Sequence, residues 1–356
     1  MNPDDILSEF NVESKIKSYG NGHINDTFCT EDSKYILQRI NTNVFKNPDE
    51  LMSNIENVTE FLKKKIIENH GDPERETMTI VKTADGKNYY EVDKDNAFRV
   101  YRFISGTKTI ESGATEKDMS SAGKGFGKFT KMLDDFPIDT LFETIKDFHN
   151  TPKRVEALKE AIEKDVAGRK KYAEKEIDFA LSHAGFADKV TKGLASGEIP
   201  LRVTHNDTKI NNILFDIKSG EALCVIDLDT VMPGSMLYDF GDALRIGAST
   251  AAEDETDLSR VHFDEKIFKA FAKGYIGEVK EVMTKREAEL FAFSVKLMTY
   301  ECGIRFLTDY LNGDTYFKIH RENHNLDRAR NQFKLVSEIA EKEDILNKIV
   351  GNLCEK

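Results

Sequence analysis

The stretch His205-Asn206-Asp207-Thr208-Lys209-Ile210-Asn211-Asn212, followed by Ile226-Asp227, has residue types and spacing that can do chemistry. An aspartate stands at a strand-to-loop junction, and an asparagine five residues later opens a second strand. A hairpin then returns the chain to Asp227, so three oxygen-bearing side chains can share one edge of a small sheet. Phosphoryl transfer needs that set: a carboxylate to orient a hydroxyl and accept its proton, plus an amide and a carboxylate as hard oxygen ligands for magnesium. Taken singly, His-x-Asp in a loop is ordinarily a turn, and an aspartate ending an apolar strand is ordinarily a cap. Their combination at this spacing points to a kinase-like site.

The elements that must position these residues can be read from periodicity. Arg202 to Asp229 is β-rich, with Leu201-Arg202-Val203-Thr204, Ile213-Leu214-Phe215 and Leu223-Cys224-Val225-Ile226 as strands and a turn at Lys218-Ser219-Gly220. Along the last strand, period-two alternation puts Asp227 and Asp229 on one face. The first hundred residues read as strand, strand, helix, strand, strand. A turn at Gly20-Asn21-Gly22 lies in a β-prone stretch, and Tyr35-Ile36-Leu37 follows. Pro48 to Lys65 repeats Leu51, Ile55, Val58 and Leu62 at helical spacing, and Met78 to Lys82 and Ala97 to Ile104 are strands. The remainder is mostly helical, most strongly from Lys285 to Leu311.

Composition narrows the classes. The 356 residues exceed the usual size of one domain, and the 39% hydrophobic content is that of a globular chain. No apolar run approaches the roughly 18 to 20 residues that span a bilayer, and no basic, apolar leader begins the chain. With 51 basic and 63 acidic residues the net charge is −12, against a broad nucleic-acid footprint. Cys29, Cys224, Cys302 and Cys354 stand far apart, as suits a reducing cytoplasm.

Thr204 through Asn212, with Val225-Ile226-Asp227, resembles the catalytic core of the aminoglycoside phosphotransferase and choline kinase-like family. Longer strings extend the likeness over nearly the whole chain: Tyr19 to Thr27, Ile36 to Asn41, Phe148 to Pro152, Ile226 to Gly234 and Phe306 to Leu311. These are similar to the branch of the family that phosphorylates N-acetylhexosamines at C1. The resemblance implies an α+β, two-lobed protein-kinase-like fold. Its small β-rich N-lobe (1–107) would bind nucleotide, and its larger, mostly helical C-lobe (108–356) would carry catalysis. It implies magnesium and ATP, with a small sugar as the other partner and neither nucleic acid nor membrane. Asp207 would be the catalytic base and Asn212 and Asp227 the metal ligands, with His205 organising the loop. Asp239-Phe240-Gly241 resembles the metal-binding tripeptide of protein kinases but falls too far along the chain, so Asp239 is expected to buttress the loop.

Gly20, Asn21 and Gly22 would cover the donor phosphates, since glycines let backbone N–H groups approach an anion. Adenine would rest on the strand through Arg99 to Ile104, which carries Tyr101. The family's lysine on the preceding strand is replaced here by Gln38. Either Arg39 takes its place, or metal and backbone hold the phosphates. The helix glutamate that pairs with that lysine would be Glu56 or Glu60. Gly123-Lys124-Gly125-Phe126-Gly127 lacks phosphate-loop spacing and reads as a helix whose glycines permit close packing. Glu301, Arg305 and Asp309 share one helical face, either as a surface ion-pair ladder or as the lining of a cleft. Arg305, Asp229, Tyr310, His23 and Ile24 are the expected substrate contacts, with Asp26 and Phe148-His149 behind them. The expected reaction is phosphorylation of the anomeric C1 hydroxyl of free N-acetylglucosamine or N-acetylgalactosamine. A different small acceptor, or a nucleotide-binding regulator without turnover, are the alternatives.

Overall fold

Side chains alternate across paired strands, and that alternation builds the first of two units seen in a computed structural model that describes residues 6–20 and 25–355. This unit takes Met1–Ile110, Met132–Lys146 and Asn211–Pro233. Its main sheet contains β1 (Ile16–Ser18), β2 (Asp26–Thr30), β3 (Tyr35–Ile40), β4 (Ile80–Val81), β5 (Tyr90–Asp93) and β6 (Asn96–Arg102). The order is β1-β2-β3-β6-β4, with β5 also on β6, and the pairings are antiparallel. On one face Leu37, Phe98 and Val100 join Ile6, Leu7, Phe10 and Val12 in a core. The intervening residues Gln38, Arg99 and Tyr101 therefore face the other way.

Helix α1 (Pro48–Glu68) starts where Pro48 and the Asn47 cap predict, the Asn47 side chain accepting from Glu50 N–H. It buries Leu51, Ile55, Val58, Leu62 and Ile66 and runs three residues past the expected Lys65. A short helical turn, α2 (Pro73–Glu76), follows. A second, three-stranded sheet joins β7 (Thr107–Lys108) to the hairpin of β9 (Ile213–Asp216) and β10 (Ala222–Val225).

The second unit takes Glu111–Lys131, Asp147–Ile210 and Gly234–Lys356. It holds β8 (Arg202–Thr204) and helices α3 (Glu116–Met132), α4 (Thr151–Lys164), α5 (Glu174–His183), α6 (Lys189–Ser196), α7 (Met236–Gly247), α8 (Glu265–Val279), α9 (Lys285–Leu311), α10 (His324–Glu341) and α11 (Glu343–Cys354). Helix α9 is its axis. A capping box between Thr284 and Glu287 starts it, and α4, α7, α10 and α11 pack around it. Arg202 on β8 donates to Glu287 from Nε at 2.7 Å, anchoring the strand that leads into the candidate loop. No described helix is long and apolar enough to cross a membrane.

The glycine cluster at Gly123 to Gly127 lies inside α3, as its packing reading expects. A Cβ on Gly123 would stand 2.3 Å from Phe271 O, and one on Gly274 of α8 would stand 2.1 Å from Ser120 O. The two backbones touch because neither residue has a side chain there. Gly277, one turn along α8, is exposed with open space at its Cβ position. Gly277→Ala should therefore raise stability by about 0.5–1 kcal/mol through helix propensity. Gly274→Ala should lower it by about 1–3 kcal/mol or more through overpacking. Urea unfolding of the two variants measures both, and equal effects would exclude the backbone contact.

Candidate active site

In the second unit, β8 delivers the chain into a loop whose backbone is held by the start of α7. Asp239 accepts from His205 N–H at 2.9 Å and from Asn206 N–H at 2.7 Å. Asp242, one turn on, accepts from Thr208 N–H at 3.1 Å, and Thr208 Oγ1 donates to Asp239 O at 2.6 Å. Asn206 adopts a left-handed conformation at φ 67, which Asn tolerates better than most residues. The buried His205 ring sits edge-on to Phe126 and Phe129 of α3, and its Nδ1 accepts from Asp207 N–H at 3.2 Å. His205 and Asp239 thus both act on the loop's shape.

The Asp207 carboxylate lies 2.9 Å from Lys209 Nζ. Burial pushes its pKa up, but Lys209, with help from His205 and Arg245, outweighs this and holds it below the ordinary aspartate value. Asp207 is therefore a carboxylate at neutral pH, able to accept a hydrogen bond from a hydroxyl. Lys209, Asp242 and Arg245 escaped the sequence reading; the i, i+3 pairing of Asp239 with Asp242 on a helix following the motif was the available signal.

Arg305 is the member of the α9 stripe that faces aromatic rings. Its guanidinium lies 5.8 Å from the Phe148 ring centroid, 6.0 Å from Tyr316 and 5.5 Å from Phe317. The ladder reading fails, because Glu301 and Asp309 are buried and engaged elsewhere. Glu301 bonds His149 Nδ1 at 2.8 Å and accepts from Thr151 Oγ1 at 2.6 Å. Asp309 accepts from the N–H groups of Thr315, Tyr316 and Phe317, and so fixes two of the rings around Arg305. Phe148 packs on His149, whose Nε2 meets Asn206 O at 3.1 Å, linking this cluster to the loop of Asp207. Tyr310, expected as a substrate contact, lies instead in the hydrophobic core, with Arg169 over its ring at 4.8 Å. It is one helical step out of register with Arg305, which turns its ring inward.

In the first unit, the face of the sheet opposite its core forms one wall of a pocket. Thr27, Gln38, Arg99 and Tyr101 line it together with Asn212 and Asp227, and Ile36, Met78, Ile104, Leu214 and Ile226 supply an apolar surface. Asn212 ends a 3-10 turn (Ile210–Asn212), and its carbonyl accepts from Ile226 N–H at 2.9 Å. The two expected metal ligands thus open into one cavity, and an amide oxygen with a carboxylate is a donor set that suits magnesium carried on phosphates.

Four expectations change here. Asp227 and Asp229 are not on a strand: β10 stops at Val225, Asp227 takes a left-handed conformation (φ 60, ψ 62), and Leu228–Thr230 is a 3-10 turn. Alternation therefore does not relate them. Asp229 is buried, with its carboxylate on Arg99 Nη1 at 2.6 Å and on Asn25 Nδ2 at 2.7 Å. Arg39 is absent from the pocket wall. It shares Leu37's side of the strand, where it is exposed and pairs with Asp26 at 2.5 Å, so the register does not shift to bring it in. Neither helix glutamate serves the pocket face, because Glu56 bonds Lys82 and Asn88 and Glu60 bonds Lys63. Gly20 is described, with φ +73, whereas Asn21, Gly22, His23 and Ile24 lie outside the described residues.

Burial pushes the Asp239 carboxyl up to about 6, against the pull of His205 and the two N–H donors. Its folded value is thus above that of the unfolded chain, so the stability tied to its proton is complete below about pH 4 and lost as pH rises to about 6. Thermal unfolding of wild type and Asp239→Asn across pH 4 to 7 should show wild type losing ground to the non-ionising variant over that window, then running parallel. Wild type gaining ground instead would reverse the assignment.

Known proteins are consistent with this architecture. Residues 15–275 match the phosphotransferase enzyme family. Among solved structures, a microcompartment-associated aminopropanol kinase superposes with a TM-score of 0.60 at 13% identity, covering 97% of both chains. A spectinomycin phosphotransferase solved with ADP and spectinomycin gives 0.56 at 16%, covering 93% of both. A choline/ethanolamine kinase family protein from Mesorhizobium loti gives 0.56 at 14%, covering 100% of both. At these identities the likeness is one of fold: a kinase-like arrangement of a β-sheet N-terminal region and a larger helical C-terminal region. The family match spans well over half the sequence, and the chain belongs to the phosphotransferase enzyme family.

Proposed function

We propose that the protein transfers the γ-phosphoryl group of ATP to the anomeric C1 hydroxyl of a free N-acetylhexosamine, N-acetylglucosamine or N-acetylgalactosamine. The observation that carries the reading is the Asp207 carboxylate, kept ionised by Lys209 on a loop whose backbone is fixed at three consecutive N–H groups and at Thr208. Such a group is built to point, and phosphoryl transfer depends on positioning more than on covalent catalysis.

Asp207 orients the C1 hydroxyl and takes its proton as the sugar oxygen bonds to the γ-phosphorus and the bond to the ADP oxygen breaks. Asn212 and Asp227 would hold magnesium, which when bound to the donor phosphates offsets their charge. Tyr101 and the apolar pocket wall suit a purine, although the backbone of β6 is paired with neighbouring strands on both sides and offers it no free edge. Arg305, among Phe148, Tyr316 and Phe317, suits a sugar, whose C–H faces pack on rings while its oxygens accept from a guanidinium.

The positive charge of this cluster weighs against the amino-alcohol and aminoglycoside acceptors of the structural relatives. Burial, and then Arg305, pull the Arg154 guanidinium below its ordinary value, so two arginines lie close enough to feel one another. A cationic acceptor would meet repulsion there.

Release of ADP from magnesium-ATP against a panel of free sugars and amino alcohols, with phosphorus NMR on the product, tests the reading. A doublet from an N-acetylhexosamine 1-phosphate is expected; turnover with amino alcohols alone would overturn the acceptor. Asp207→Asn should fold normally and lose about 10²- to 10⁴-fold in kcat, so a variant near the wild-type rate would remove the base assignment. Asp227→Asn should raise the magnesium concentration needed for half-maximal rate, seen in a metal titration at fixed ATP.

A further inference from the structure

We propose that Arg99, on β6, is the cation that binds the donor phosphates, with Gln38 and Asp229 as its positioning residues; this rests on the nucleotide-dependent reading above. The β3 position expected to carry a lysine holds Gln38, which is neutral. In the antiparallel register Gln38 stands directly opposite Arg99, so a cation lost from one strand reappears beside it on the next. Both point away from the core face and into the pocket that also receives Asn212 and Asp227. Arg39, the other cation near that position, points away.

Arg99 is 1% exposed, and the way it is held is informative. Gln38 Oε1 accepts from Nε at 3.1 Å and from Nη2 at 2.9 Å. Asp229 Oδ1 stands 2.6 Å from Nη1, and Met52 Sδ lies 3.9 Å from the same nitrogen. Of the five N–H donors of a guanidinium, these partners leave the second one on Nη2 for another acceptor. The holders are themselves held. Gln38 Nε2 donates to Thr27 Oγ1 at 3.1 Å. Asn25 Nδ2 donates to Asp229 Oδ2 at 2.7 Å, while Asn25 Oδ1 accepts from Asn41 N–H at 3.0 Å. The network joins β2, β3, β6 and the turn just after Asp227, so it fixes a planar fork at the pocket wall from three sides. A pair needed for stability alone would be replaceable by apolar residues of similar size, and burying it would cost desolvation for little return. A fork in the wall of a cavity that receives a phosphate chain has a use for its charge and direction.

The test uses the full-length protein and three variants: Arg99→Lys, the double variant Arg99→Met/Asp229→Asn, which removes both charges together, and the exchange Gln38→Lys/Arg99→Gln, which returns the cation to β3. Calorimetric titration with ADP and with adenosine, alongside KM for ATP and kcat, separates phosphate contacts from base contacts. Wild type is expected to bind ADP more tightly than adenosine. Arg99→Met/Asp229→Asn should lose about tenfold or more in ADP affinity with adenosine affinity unchanged, and Arg99→Lys should raise KM for ATP more than it lowers kcat. Circular dichroism establishes that each variant is folded, and the exchange variant carries the test if the charge-free one is not. It should recover part of the ADP preference. Folded variants whose ADP affinity stays within about twofold of wild type would reduce Arg99 to a structural pair and sink the proposal. Wild type binding ADP no better than adenosine would sink it too, leaving the purine pocket standing. Wild type binding neither would remove the nucleotide reading itself.

Discussion

The buried carboxylate of Asp239 sets the course of the loop from His205 to Thr208. A chain leaving a strand for a left-handed turn loses its ladder partners, and each buried N–H must then find an acceptor. Asp239 supplies two, for His205 and Asn206, and Asp242 a third, for Thr208. The N–H of Asp207 itself goes to His205 Nδ1. With four successive N–H groups committed, the backbone has no slack, and the Asp207 side chain is aimed by the backbone that carries it. The same physics explains a carboxyl with a raised pKa at the centre of the arrangement: the acceptor that organises buried N–H groups must be buried with them.

In the first unit, direction comes from a different source. The pleat of β3 and β6 sends Leu37, Phe98 and Val100 to the core and Gln38, Arg99 and Tyr101 to the pocket. A one-residue slip would exchange the two sets, exposing the core and placing Arg39 in the pocket. The apolar residues on one face thus fix which polar ones line the pocket on the other.

Much of this was legible in the sequence, because the signals were local. Helix α1 follows from Pro48 and a run of apolar residues at helical spacing, α9 begins and ends where its pattern does, and the β8, β9 and β10 segments stand out as β-branched and aliphatic runs between polar turns. The motif from His205 to Asn212 marks the loop by residue type and spacing alone. What escaped depends on how distant segments meet. The end of β10 at Val225 is set by a left-handed Asp227, and nothing in Ile226-Asp227-Leu228-Asp229 announces that the alternation stops there. The role of Arg99 depends on which residue stands across from Gln38, and that of Asp229 on meeting a strand 130 positions earlier. Tyr310 looked like a cleft residue because Arg305 is near it in sequence, but on a helix buried nearly all round, five residues of separation turns a side chain to another face.

Buried ion pairs recur where an element must be aimed: Arg99 with Asp229, Arg202 with Glu287, and Arg245 with Asp242. Each sits at the root of a strand or loop that leads to a candidate functional side chain, rather than in the aromatic core around Phe240, Phe268 and Phe291. Stability alone does not account for that distribution, since desolvating two charges uses up most of what their attraction returns. Apolar packing supplies far more free energy but is non-directional, and it tolerates small rotations that a bidentate guanidinium does not. A protein whose chemistry depends on where a carboxylate and a few hard oxygens point gains from placing charged, geometrically demanding contacts directly behind those groups, and from leaving the bulk of its stability to the aromatic and aliphatic core.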